Sequence, residues 1–391
     1  MYDPQSGLSS SLPLWLGWMM AQAPLSQTMF APGFGKDLPQ VDDLPKLWQK
    51  MQQDMQGQFK HFARGLHTYQ QAPHDSARNL PPVVWQQGAT KLYDYGKSAN
   101  KAGPAMLVVP SHVNRSYILD LKEDLSVLRY WAEQGFRPFL VDWGDLSDYE
   151  RDYSLDDYFQ NRLEPMLHFV QEISKQPINV VGYCMGGMLA TALALRHPEI
   201  ASLVLMATPW DFHVGREWLP VVMQQSSCFL ESLIDVYQEL PVEVIQMLFA
   251  SLNPPGVMKK FAELGQDFQN TAFVQNFVEV EDWLNDCVPL APKVAKDCLL
   301  GWYRDNLPHR NQWKIQGQSV IASEIKIPTF GVVPKKDTIV SPDSSRALLG
   351  KLPHVQSIEP PLGHIGLVTS KSAPELVWEP IAQFLKTTNP S

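Results

Sequence analysis

Hydrophobic positions along this chain change rhythm three times, and each change marks a different kind of structure. Over positions 44–64 apolar residues recur at helical spacing: Leu44, Leu47, Trp48, Met51, Met55, Phe59 and Phe62. That period predicts an amphipathic helix, with Pro45 tolerated in its first turn. Its default role is packing on the body of the protein, and docking a partner is the lesser reading. A Pro- and Asn-containing stretch over 72–82 reads as a linker. From Val83 onward, short apolar runs alternate with helical stretches, the pattern of an α/β fold: a mostly parallel sheet with helices on both faces. Strands are predicted near 83–95, 106–109, 138–141, 179–182, 203–207, 329–333 and 356–358. Ser154 followed by Asp157 suits a helix N-terminus, so the acidic stretch 142–157 reads as a solvated loop and helix start, not a metal site. Over 211–323 the strand rhythm breaks into Trp-, Met-, Phe- and Leu-rich helical pattern, as at Trp218-Leu219-Pro220, Met247-Leu248-Phe249 and Trp283-Leu284. The domain reading is an N-terminal helical or extended region at 1–82, a core of 83–210 with 324–391, and a helical insertion at 211–323.

One turn in this pattern carries chemistry. The run Val180-Val181-Gly182-Tyr183-Cys184-Met185-Gly186-Gly187-Met188 passes from a strand, through Gly-x-Cys-x-Gly, into a helix-forming stretch. This is the nucleophile elbow of an α/β-hydrolase with cysteine in place of serine. Two glycines allow the backbones to approach, and the helix N-terminus favours the reactive thiolate of Cys184. In this fold an acid and a histidine follow the nucleophile in that order. Asp337 comes directly after the predicted strand at 329–333, and His364 stands in Pro361-Leu362-Gly363-His364-Ile365-Gly366, after the strand at 356–358. Alone, Asp337 reads as a turn residue and His364 as a loop histidine; in order, each at a strand end, they form a candidate triad. His364 would take the Cys184 proton, and Asp337 would hold the imidazole tautomer. The oxyanion donors expected are the N–H of Met185 and that of Val113, in the loop after the strand at 106–109. His112, in the same loop, reads as positional rather than chemical. The helical insertion falls where such hydrolases carry a cap, and an apolar cap would favour acyl transfer over hydrolysis by excluding water.

Several further segments match one family in order: Val84-Trp85-Gln86-Gln87-Gly88, Val113-Asn114-Arg115-Ser116-Tyr117-Ile118-Leu119-Asp120-Leu121, Val141-Asp142-Trp143-Gly144 and Ser154-Leu155-Asp156-Asp157-Tyr158. After the cysteine box come Gly301-Trp302-Tyr303-Arg304-Asp305-Asn306, Asp337-Thr338-Ile339-Val340 and Gly363-His364-Ile365-Gly366. From about Val83 onward the chain resembles the polyhydroxyalkanoate synthases, in particular the short ones that work with a second subunit. The resemblance implies 3-hydroxyacyl-CoA as monomer donor, a Cys184-bound hydroxyacyl thioester and release of CoA, which is a leaving group and not a cofactor. It also brings in a second synthase subunit, a homodimer and a polyester granule surface as partners to test. Two departures stand out: Ser111 follows Pro110 where the family usually has paired prolines, and Met188 stands where a small threonine is frequent. The cysteine elbow alone is also similar to that of dienelactone hydrolases, which are much shorter. A hydroxyacyl thioesterase or ester hydrolase with the same triad is the competing enzyme reading, and a non-catalytic granule-associated acyl-binding protein is the competing reading from another class.

Composition narrows the setting. The formal net charge is −9 with no offsetting basic run, which argues against nucleic-acid binding. Cys184, Cys228, Cys287 and Cys298 lack metal or disulfide spacing, and no phosphate loop is present to hold a nucleotide. Near the start, Leu12-Pro13-Leu14-Trp15-Leu16-Gly17-Trp18-Met19-Met20 is apolar. No basic residue precedes it, and it is far short of the roughly 20 residues that span a bilayer. It reads as a tail packing on the body or as an interfacial or partner-binding segment, and the expected location is the cytoplasm.

Overall fold

The computed structural model describes residues 44–74, 78–96 and 103–388. The apolar run at 12–20, with the rest of the first 43 positions, lies outside the described residues. The chain divides into two compact units, one joining the described part of Met1–Ser76 to Gln246–Asn285, the other formed by Ala77–Ile245 and Asp286–Ser391. The expected insertion at 211–323 is therefore shared between the units.

The first unit is helical. Leu44–Gln71 forms a helix longer than the 44–64 expected, and it lies along Pro254–Gln266 with Thr271–Asn285 beside them. Phe62, Tyr69, Phe261, Leu264 and Val278 make its core, with edge-on aromatic pairs such as Phe62–Phe261 at 5.9 Å. Gly65 and Gly265 permit the close crossing: a Cβ on either would overlap a backbone carbonyl of the facing helix, Phe261 or His61.

The second unit holds an eight-stranded sheet. Its strands are β1 (Val83–Gln87), β2 (Thr90–Asp94), β3 (Ala105–Val109), β4 (Arg137–Asp142), β5 (Asn179–Tyr183), β6 (Ser202–Met206), β7 (Thr329–Val332) and β8 (Val355–Ile358). Their spatial order is β1-β2-β4-β3-β5-β6-β7-β8. β1 pairs antiparallel with β2, and β2 with β4, and every neighbour from β4 to β8 is parallel. The single strand predicted at 83–95 is thus a hairpin, broken where Gly88 takes a φ of 59°. The β3, β5, β6 and β7 strands are buried along their whole length, which is why they read as unbroken apolar runs and not as alternating ones. Ser154 and Asp157 form the reciprocal cap expected of them, opening Leu155–Tyr158.

Parallel strands connected by helices bring their carboxyl ends to one edge of the sheet, where α/β folds bind ligands. Residues 110–114, 184, 333–340 and 359–365 all follow strand ends at this edge. Between β6 and β7, within this unit, Trp218–Tyr237 packs against Pro292–Lys296 and the π-helix Asp297–Arg304. Among the described residues, no helix is long and apolar enough to cross a membrane, and no cluster of three His, Cys, Asp or Glu side chains is suited to a metal ion.

Candidate active site

Cys184 follows β5 directly and caps the helix Met185–Arg196. Its backbone stands at φ 55° and ψ −128°, a conformation that costs a non-glycine residue of order 1–3 kcal/mol. The surroundings enforce it. Cys184 N–H donates to Met206 O at 2.9 Å, continuing the β5–β6 ladder, and Cys184 O accepts from Gly187 N–H at 2.9 Å. A Cβ at Gly182 would overlap Gly187, and one at Gly186 would overlap the carbonyls of Val109 and Pro110. The elbow is therefore wedged between its own helix and the loop after β3. The ten residues Met185 through Ala194 are all buried, which fixes that helix under the sheet edge. As first residue of the helix, Met185 has an N–H with no intrahelical acceptor.

Asp337 and His364 come from the loops after β7 and β8 and meet. His364 Nδ1 lies 2.7 Å from Asp337 Oδ2, with side chains only 6% and 1% exposed. The other Asp337 oxygen accepts the N–H groups of Ile339 and Val340, each at 2.8 Å. Three donors thus hold one carboxylate. Burial works against the charged form of His364, but the Asp337 carboxylate, and then Cys184 as thiolate, outweigh it and push the pKa up to about 10. Electrostatically the ring sits between the Asp337 carboxylate and the Cys184 sulfur. Cys184, Asp337 and His364, far apart in sequence, are brought to one place.

The loop after β3 is anchored on both flanks. Trp143 Nε1 donates to Pro110 O at 3.1 Å, and Val288 N–H donates to Val113 O at 3.3 Å. Beyond it, Asn114 Nδ2 reaches Cys287 Sγ at 3.1 Å, and Arg115 and Tyr117 both bond Asp286. Val113 N–H itself donates to Ser111 Oγ at 3.2 Å, so this expected oxyanion donor is engaged within its own loop. His112 is buried, stacked 3.9 Å over Trp143 and edge-on to Tyr158 at 4.7 Å. Neither ring nitrogen has a partner, and burial drives its pKa down to about 3. It is an uncharged packing element throughout the ordinary pH range.

Sequence reasoning did not single out three neighbours. Tyr183, one residue before the cysteine, donates its hydroxyl to His364 O at 3.2 Å. Tyr303, on the π-helix Asp297–Arg304, lies edge-on to Phe212 at 4.8 Å; burial and then the charge of Cys184 raise its phenol above the ordinary value. Arg216 donates to Ile339 O at 2.8 Å and to Thr338 O, clasping the loop that carries Asp337. Tyr183 and Tyr303 stood inside quoted motifs; nothing local distinguishes Arg216.

Known proteins place this architecture. Residues 144–370, more than half of the chain, match the alpha/beta hydrolase fold family. The poly(3-hydroxyalkanoate) polymerase subunit PhaC of Haloferax mediterranei is 29% identical over 77% of this chain and 63% of its own length. The Haloarcula marismortui PhaC is 28% identical over 77% of this chain and 66% of its own. This chain thus spans about two thirds of those two proteins. The PhaC of Allochromatium vinosum is 27% identical over 86% of this chain and 97% of its own length. Among solved structures, the Mycobacterium tuberculosis protein BpoC superimposes with a TM-score of 0.50 at 17% identity, covering 81% of this chain and 100% of its own, a likeness of fold. The chain belongs to the alpha/beta hydrolase fold family and is a homologue of the poly(3-hydroxyalkanoate) polymerase PhaC subunits.

Proposed function

We propose that this protein is an acyltransferase that polymerises 3-hydroxyacyl groups from CoA thioesters, with Cys184 as the covalent carrier. The observation that carries the reading is the placement of Cys184 at a strained elbow against a His364 ring bonded to Asp337 at 2.7 Å, in a homologue of PhaC polymerase subunits. His364 carries the proton given up by Cys184, and the thiolate attacks the acyl carbon. The bond to the CoA sulfur breaks, and CoA leaves with the proton from His364. The 3-hydroxyl of a second hydroxyacyl group then attacks the Cys184 thioester; an ester forms, and its proton returns through His364 to the freed cysteine. Thiol–thioester exchange is close to neutral in energy, so cysteine keeps the chain as reactive as the incoming monomer, whereas a serine ester would be a deeper trap.

Met185 N–H supports the oxyanion, with a second donor from the 110–114 loop. Val113 serves only if its N–H exchanges the Ser111 hydroxyl for the substrate oxygen. Within the catalytic unit, the helices Trp218–Tyr237, Pro292–Lys296 and Asp297–Arg304 supply an apolar cover in this reading. A second synthase subunit, a homodimer and a granule surface remain the partners to test, in the cytoplasm, and no cofactor is required by the chemistry.

The test is incubation of the protein with 3-hydroxybutyryl-CoA beside a Cys184→Ala variant, following free CoA and product mass. Cys184-dependent CoA release with high-mass polyester supports the proposal. Release of free hydroxyacid alone means a thioesterase on the same residues. Acyl-CoA binding without any release, in the presence of a synthase second subunit and monomers of several lengths, means a non-catalytic binder.

A further inference from the structure

We infer that Tyr183 is a positioning residue for His364, setting the distance between base and nucleophile from the nucleophile's own strand. This deepens the reading of Cys184 and His364 as a nucleophile–base pair and rests on it.

The need for such a residue follows from the His364 loop. Gly363 immediately precedes His364 and Gly366 stands two residues after it, and a Cβ on either would make only ordinary contact, at 3.5 and 3.7 Å. Neither glycine is sterically required there. The imidazole is tethered to Asp337, but one hydrogen bond at Nδ1 leaves the ring free to swing about it with its backbone. The loop is held before His364 by Lys336 N–H on Leu362 O at 2.9 Å and after it by Val368 and Thr369 N–H on Ile365 O, each at 3.0 Å; His364 itself is held through its carbonyl, which accepts the Tyr183 hydroxyl at 3.2 Å and, more loosely, Leu367 N–H at 3.4 Å.

Tyr183 is well placed for that work. It ends β5, paired with Met206 of β6, and the next residue is Cys184. The strand is central in the sheet and buried throughout. The Tyr183 ring is 3% exposed and lies 5.3 Å from the His364 ring, centroid to centroid. Burial holds its phenol well above the ordinary value, so the hydroxyl stays a donor at any working pH. One rigid strand end thus carries both the sulfur and the grip on the base. Removing the hydroxyl leaves the elbow intact and frees only the His364 backbone.

The experiment is alkylation of Cys184 by iodoacetamide, resolved from the other three cysteines by mass spectrometry, from pH 5 to 9. It compares wild type, Tyr183→Phe, His364→Gln and the double variant. A hydrogen bond of ordinary strength corresponds to a rate lowered about three- to tenfold at neutral pH in Tyr183→Phe. The loss persists from pH 5 to 9, where His364 holds its proton, because a displaced imidazolium no longer faces the Cys184 sulfur. In the His364→Gln background the Tyr183→Phe change has no further effect, since the base it positions is gone. In acyl transfer the same variant lowers kcat and leaves KM unchanged. Wild-type alkylation by Tyr183→Phe overturns the inference, and so does an equal slowing with and without His364, which marks a merely structural role. Alkylation needs no acyl donor, so a protein that fails to release CoA still reports on Tyr183.

Discussion

Replacing Asp337 with asparagine tests the proposed charge arrangement more sharply than any other single change. The wild-type carboxylate accepts from three N–H groups at once: His364 Nδ1 on one oxygen, Ile339 and Val340 on the other. Asparagine offers one acceptor end and one donor end. With its oxygen toward Ile339 and Val340, its NH2 faces the Nδ1–H of His364; turned over, its NH2 faces two backbone N–H groups. Either orientation sets donor against donor in a site where Asp337 is 1% exposed. The variant loses a charge-assisted bond, about 1.5–3 kcal/mol, and leaves a buried donor unsatisfied, about 1–3 kcal/mol. If most of that falls on the imidazolium form, Cys184 reactivity at pH 7 drops on the order of 10²- to 10⁴-fold.

The pH dependence carries a sign. His364 holds its proton up to about 10 in the wild type, with Asp337 the larger of the two charges responsible. Without that carboxylate the histidine pKa falls, so at neutral and higher pH less of the ring carries the positive charge that faces the Cys184 sulfur, and alkylation slows there. The assay is Cys184-specific alkylation across pH 5–9, with CoA release measured in parallel and thermal unfolding as a check on folding. A folded Asp337→Asn protein that alkylates within threefold of wild type at pH 7, with an unchanged pH dependence, would refute a His364 charge held by Asp337 against Cys184.

Other sites give independent tests. Gly186→Ala drives a Cβ into the backbone carbonyls of Val109 and Pro110 and should cost about 1–3 kcal/mol in urea unfolding. Gly363→Ala, whose nearest neighbour would stand at 3.5 Å, should cost far less, and equal losses at the two would contradict the wedged elbow. Arg216→Met removes both bonds to the Asp337 loop and should slow CoA release about three- to tenfold, with Arg216→Lys recovering part of it. His112→Phe keeps a ring against Trp143 and buries no unpaired nitrogen, so urea unfolding should show equal or greater stability.

The parts of this protein that were legible in sequence are those whose cause is local. Unbroken apolar runs located the parallel strands because strands buried on both faces carry no alternation, and Ser154 with Asp157 announced a helix start through contacts three residues apart. Cys184, Asp337 and His364 were legible because the fold obliges each to follow a strand, so their order predicts a meeting that their spacing, 153 and 27 residues, does not. The Val83–Tyr95 region was misjudged as one strand because a two-residue turn at Gly88 and Ala89 interrupts the apolar pattern too briefly to register. Nor did any pattern show that Gln246–Asn285 groups with the N-terminal helix, which depends on two glycines meeting across a crossing.

The same distinction explains what was missed at the site. A side chain that bonds another residue's backbone needs only one partner fixed in sequence; the carbonyl or amide it meets exists at every position. Arg216 reaches carbonyls more than a hundred residues away, and Asp337 is held by amides of Ile339 and Val340 that any residues except proline would provide. Tyr183 is the intermediate case. Its place beside Cys184 is visible in the motif, but its use depends on the loop after β8 returning to the end of β5. In the proposed site side chains carry the reacting atoms, whereas backbone groups hold much of the geometry. Sequence patterns therefore identify the candidate chemistry before they identify what keeps it in register.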